Sequence, residues 1–133
     1  MTIEDQHCEA FVNWLEVNRL KFTHIANENS MSWVDSKSAM IAGARAKRIG
    51  LRKGILDFVV LTPKGVVWVE MKDPKKKLKQ GDVMQGWTES QKERGGLKRE
   101  QYEWILAINK TPGTQAQVCY GADEAVKFIS KFL

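Results

Sequence analysis

Three residues stand out for chemistry: Asp57, Glu70 and Lys72. Glu70 and Lys72 are two apart in Val69-Glu70-Met71-Lys72, so on a strand they project from one face. Two carboxylates and an amine on one face suit metal-dependent hydrolysis of a phosphodiester. Hard carboxylate oxygens hold Mg²⁺ and leave positions for water and phosphate. A bound cation polarises the phosphate and acidifies its water. A lysine can orient that water or stabilise charge in the transition state. The same residue types also form plain salt bridges, and spacing alone does not separate the two readings.

Positioning these groups requires a hairpin. Residues 55–61 and 66–72 read as strands, and Thr62-Pro63-Lys64-Gly65 supplies the turn. Alternation places Asp57, Val59 and Leu61 on one face of the first arm. On the second it groups Val66, Trp68, Glu70 and Lys72. Only an even-numbered loop brings Asp57 to the face of Glu70 and Lys72. A four-residue loop, Pro63 to Val66, would set Asp57 opposite Lys72 with Glu70 diagonal to it.

Around the hairpin the periodicities predict a helix over 3–18, with Thr2 as N-cap, Asp5 three residues on, and a stripe of Cys8, Phe11, Trp14 and Leu15. A short strand over 22–25, a polar loop over 27–35 and a helix over 36–49 ending at Gly50 follow. Residues 73–98 are rich in Lys, Gln and Gly and read as a long loop or flexible arm. A helix over 97–109, a strand over 116–120 and a helix over 123–133 complete the chain. The last helix has Ala125, Val126, Ile129 and Leu133 on its inner side. The order α, β, α, β, β, α, β, α implies an α/β fold, a mixed sheet flanked by helices.

The chain has 133 residues, enough for one domain over 1–133. It carries 21 Lys and Arg against 16 Asp and Glu, a formal charge of +5, which permits a polyanionic partner without requiring one. Apolar runs fall far short of the roughly 20 residues of a membrane span, and Met1 to Ala10 lacks the pattern of a secretory signal. Cytoplasmic residence, in a bacterial cell or as a viral protein in its host, is the expectation. Cys8, Cys119, His7 and His24 lack zinc-ligand spacing. The cysteines read as small buried side chains in a reducing compartment, with a Cys8–Cys119 disulfide left open.

Asp57 followed by Glu70-Met71-Lys72 resembles the PD-(D/E)XK nuclease signature. The wider chain resembles its virus-type replication-repair branch, the VRR-NUC domain. Further segments carry the likeness: Glu4 in the first helix, His24-Ile25-Ala26-Asn27-Glu28, the run Ala46 to Gly54, Leu97 to Trp104, and Val118 to Ala125. They cover nearly the whole chain in order. Two positions depart from the family. Leu56 stands where proline usually precedes the aspartate, and residues 73–96 are longer than the usual connection.

The resemblance implies a PD-(D/E)XK-like sheet with a central antiparallel hairpin. It also implies a Mg²⁺-dependent endonuclease, with Mn²⁺ as a substitute. Asp57, Glu70 and the Met71 carbonyl would hold the metal, and Glu4 would complete the site directly or through water. Lys72 would assist the attack, and Gln101 would hold Lys72 or a phosphate. Glu28 is the alternative acid, beside Asn27 as a DNA contact. Arg45, Lys47, Arg48, Arg52 and Lys53 would form one phosphate-binding stripe, and Lys75, Lys76, Lys77 and Lys79 another. Trp87 could stack on a base or cover apolar surface, and His24 reads as packed rather than as a base. Free-standing members of this family look like homodimeric four-way (Holliday) junction resolvases. Branched DNA is therefore the expected partner, with flap or fork cleavage, or DNA binding without catalysis, as alternatives.

Overall fold

A computed structural model describes residues 1–25, 36–50 and 52–133. Helix α1 spans Ile3–Val17 and is closed by the expected capping box. The Thr2 hydroxyl accepts from the Asp5 amide, and the Asp5 carboxylate accepts from the Thr2 amide. Strand β1 is Lys21–His24, helix α2 Ser36–Arg48, and the hairpin strands are β2, Phe58–Thr62, and β3, Gly65–Lys72. A 3₁₀ turn over Pro74–Lys76 and a small ribbon, β4 (Glu93–Arg94) with β5 (Leu97–Lys98), lead to α3, Arg99–Asn109. Strand β6, Thr114–Tyr120, and helix α4, Ala122–Ser130, end the order.

The sheet order is β1-β2-β3-β6, antiparallel except for the parallel β3–β6 pair. Parallel neighbours cannot be joined by a tight turn. The crossover from β3 to β6 therefore carries α3 across the face that bears Trp68 and Glu70. The opposite face, with Val67, Val69 and Met71, packs with Phe58 and Val60 against α1 and α4 through Phe11, Leu15, Phe128 and Ile129. Phe11 meets Phe58 edge to face at 5.2 Å. On the α3 side a second core joins Leu56, Val83, Leu97, Ile105, Ile108, Ala116, Val118 and Tyr120. Leu56 is wholly buried there, so the residue standing in place of the family's proline contributes packing.

The hairpin differs in detail from the four-residue loop. Thr62 pairs with Gly65, so only Pro63 and Lys64 form the loop. The even parity stands, but the register moves by two. Phe58 lies opposite Val69, and one further step puts Asp57 opposite Glu70 rather than Lys72. β2 begins at Phe58 rather than Ile55, because the chain bends at Asp57 and turns Leu56 into the α3-side core.

Residues 73–98, expected as a long loop or flexible arm, form a mostly exposed loop layer packed onto the α3 side at a few points. Trp87 stacks on Tyr102 at 4.4 Å and donates its indole N–H to the Val83 carbonyl. The Arg99 guanidinium lies 5.7 Å from the Trp87 ring centre and donates to the Thr88 and Gln91 carbonyls. Tyr120 donates its hydroxyl to the Gly95 carbonyl. Scattered apolar residues without a period, Leu78, Val83, Met84 and Trp87, suffice because each meets an existing helix or sheet face. Leu97 and Lys98 belong to β5, so α3 starts two residues later than its periodicity suggests. α4 ends at Ser130, and its inner side is Ala125, Phe128 and Ile129, with Leu133 exposed. Cys8 and Cys119 are both buried and free, which excludes the disulfide in this structure. Among the described residues no helix is long and apolar enough to cross a membrane.

Trp87→Ala should remove the stack and the indole bond together. The expected cost is about 2–4 kcal/mol in urea unfolding, with faster proteolysis within 79–92. Unchanged stability and proteolysis would contradict a packed layer.

Candidate active site

Four chain segments reach the same end of the sheet: the C-terminal ends of β1, β3 and β6 and the start of β2. Asp57 and Glu70 face each other there, tied by reciprocal backbone bonds. The Asp57 amide donates to Glu70 Oε1 at 3.1 Å, and the Met71 amide donates to Asp57 Oδ2 at 2.9 Å. Lys72 Nζ lies 3.3 Å from Glu70 Oε2, and Gln101 Nε2 donates to the same oxygen at 2.9 Å. Gln101 is itself fixed, because its Oε1 accepts from the Lys98 amide in the first turn of α3. It therefore holds Glu70, not Lys72 or a free position for phosphate. Asp57, Glu70 and Lys72 are 8%, 2% and 7% exposed, so three ionisable groups share a largely dry site.

Burial raises the Glu70 carboxyl, the nearby Asp57 charge raises it further, and Lys72 opposes both; the result is about 8. Burial also raises Asp57, against the Met71 amide and the positive fields of His24 and Lys72. The Asp57 charge beside it favours the protonated form of Glu70. A proton or a cation between the two carboxyls would relieve that repulsion. The donor set, two converging hard-oxygen carboxylates, fits Mg²⁺ or Mn²⁺ in that role. No group of three or more His, Cys, Asp or Glu suited to a metal occurs among the described residues. Asp57 and Glu70 would thus hold the ion with the Met71 carbonyl, water and substrate as remaining ligands, which suits a cation that keeps several waters.

Glu4, at the N-terminal end of α1, is half-buried. Its carboxyl is raised by burial first, then lowered by Lys72 and raised by Asp57. It stands within electrostatic reach of the cluster, without an ion pair to Lys72 among the described contacts. Lys75 and Lys76 lie in the 3₁₀ turn after β3 and are exposed, as is Lys79. Lys77 instead pairs with Glu124. Arg45, Lys47, Arg48, Arg52 and Lys53 are exposed along α2 and the segment after it. Asn27 and Glu28 lie outside the described residues.

Some roles were not expected from sequence. Trp87 is covered by Tyr102 and Arg99 and stacks within the protein rather than standing free for a base. His24 stacks on Phe58 at 4.3 Å yet remains exposed, beside Asp57. His7 Nδ1 accepts from the Ala122 amide and caps α4 from α1. Gly121 before α4 has no side chain to cap with, and that was the available signal.

In EDTA, stability should fall as pH rises from about 4.5 through about 8. A carboxyl raised on folding contributes stability that is complete below its unfolded pKa and lost above its folded one. Asp57→Asn removes one of the opposed charges while its amide oxygen can still accept from Met71. This variant should flatten the slope and raise Tm at pH 8.5 by about 5 °C. An Asp57→Asn protein less stable than wild type at pH 8.5 would contradict the repulsion.

No family model and no curated protein matches the chain. Among solved structures, one named "VRR_NUC domain protein" aligns over 100% of this chain and 89% of its own, with a TM-score of 0.63 and 18% identity. The expected α/β fold, a mixed sheet flanked by helices, is present. Across its whole length this chain folds like a VRR_NUC domain protein.

Proposed function

We propose that the protein is a Mg²⁺-dependent, structure-selective DNA endonuclease that acts as a homodimer on four-way junctions. The observation that carries the hydrolytic reading is the buried Asp57–Glu70–Lys72 cluster at the end of the sheet, in a chain with the VRR_NUC fold. Two carboxylates driven together in a dry site, with an ammonium beside them, cost stability unless they hold something.

Asp57 and Glu70 would hold the cation. When bound, it supplies Lewis-acid polarisation of the scissile phosphate and a water acidified enough to attack. Gln101 fixes the Glu70 carboxylate so that one oxygen stays turned to Lys72. The Lys72 ammonium stabilises charge gathering on the pentavalent phosphorus. Glu4, within electrostatic reach of Lys72 and Asp57 at the start of α1, would act through water. Exposed Lys75, Lys76 and Lys79, with Arg45, Lys47, Arg48, Arg52 and Lys53, neutralise backbone phosphates. The junction preference and the dimer rest on the family resemblance: two symmetric cuts need two sites related by a two-fold axis.

A panel of four-way, flap, splayed and linear DNA with Mg²⁺ or Mn²⁺ tests the reading. Paired cuts at the junction are expected. Asp57→Ala and Lys72→Ala should each lower the rate by about 10²-fold or more while binding persists. Cleavage confined to flaps or forks would replace the junction assignment. No cleavage of any form would leave a DNA-binding module. Sedimentation should give twice the monomer mass, and a single-chain mass would remove the dimer. Binding should weaken with salt at a log–log slope of about −0.9 per phosphate contact, and Lys75→Ala with Lys76→Ala should flatten it by about 2.

A further inference from the structure

Helix α3 touches both arms of the hairpin at the carboxylate end. Gln101 holds Glu70 of β3. Three residues on, and so on the same side of the helix, the Trp104 indole N–H donates to the Lys53 carbonyl at 3.0 Å. Between these contacts the backbone of Gly54 lies so close to α3 that a Cβ there would overlap the Cβ of Glu100. Gly54 also has φ +81°, a conformation that favours glycine. Three residues later comes Asp57, one residue before β2, where its carbonyl accepts from the Ile25 amide and the hairpin register sets it opposite Glu70.

We infer that Trp104 is a positioning residue for Asp57. By anchoring the Lys53–Gly54 turn on the helix that carries Gln101, it adds to the register and the Ile25 bond a constraint on the chain entering Asp57, and so tunes the distance between the two carboxylates. One helix then works as a caliper, with Gln101 gripping one carboxylate directly and Trp104 gripping the other through three residues of chain. The Asp57 amide bond to Glu70 Oε1 reports whether the caliper is closed. Trp104 is half-buried and contributes its ring to the α3-side core, so its indole N–H is separable from its packing. This inference rests on the proposed function for its catalytic consequence, but not for the placement of Asp57.

The test is Trp104→Phe, which keeps an aromatic ring and deletes the N–H. In metal-free protein, amide hydrogen exchange at Asp57 should quicken about tenfold. The amides of Val67 and Val69, within β3, should keep their protection. In the same variant the Mn²⁺ concentration for half-saturation, read by electron paramagnetic resonance, should rise several-fold. Wild-type exchange at Asp57 would overturn the inference, as would an equal loss of protection across β3, which would mark Trp104 as packing alone. Quickened exchange with unchanged Mn²⁺ affinity would overturn the caliper's link to the site. A wild-type protein that binds no Mn²⁺ would remove the proposed function. The caliper would then be overturned as a device for metal, even with Asp57 exchange quickened.

Discussion

The structure is organised around a contact that electrostatics opposes: two carboxyl groups, Asp57 and Glu70, brought together out of water. The hairpin register forces it. A two-residue loop aligns Thr62 with Gly65, and every later pair follows until Asp57 meets Glu70. The register cannot relax by one residue, because Phe58, Val60, Val67 and Val69 would leave the core shared with α1 and α4. Hydrophobic burial on one face thus holds a repulsive pair on the other. The chain offsets the repulsion with a raised Glu70 carboxyl, the Lys72 ammonium, the Gln101 amide and two backbone N–H groups. Under the proposed function this buried carboxyl pair would exchange a proton for a divalent cation.

The other elements serve that contact from outside. The parallel β3–β6 pair requires a crossover, and the crossover delivers α3 to the carboxylate face. The 73–98 layer then packs against α3 through Trp87, which meets Tyr102 and Arg99. On the other face, His7 of α1 caps α4, locking together the two helices that bury Met71. Met71 is the pivot of the site, because its apolar side chain anchors one core while its amide holds Asp57 across the strand.

Much of this was legible in the sequence. Period-two alternation around Glu70 and Lys72, the Pro-Gly turn and the Thr2–Asp5 box each specify local geometry, and the structure contains all three. What alternation cannot fix is loop length, since two and four residues share a parity; the choice moved Asp57 from Lys72 to Glu70. The 73–98 layer was hidden for a different reason. Its apolar residues are spaced by no regular element, and they are stabilised by tertiary partners such as Tyr102 that local sequence does not reveal. Gln101 was placed at the site, but its partner depended on the depth of α3 over the sheet. Trp104 carried no sequence signal beyond its helix, because its partner is a backbone carbonyl 51 residues away.

The central claim of the proposed function is that Glu70 holds a proton beside Asp57 and that a divalent cation would displace it. Calorimetric titration of Mg²⁺ or Mn²⁺ at pH 7, in two buffers of different ionisation enthalpy, counts that proton directly. The account predicts release of about one proton per ion bound, shrinking toward none near pH 9.5, where Glu70 is already ionised. Binding without proton release at pH 7, or no binding at either pH, would contradict it.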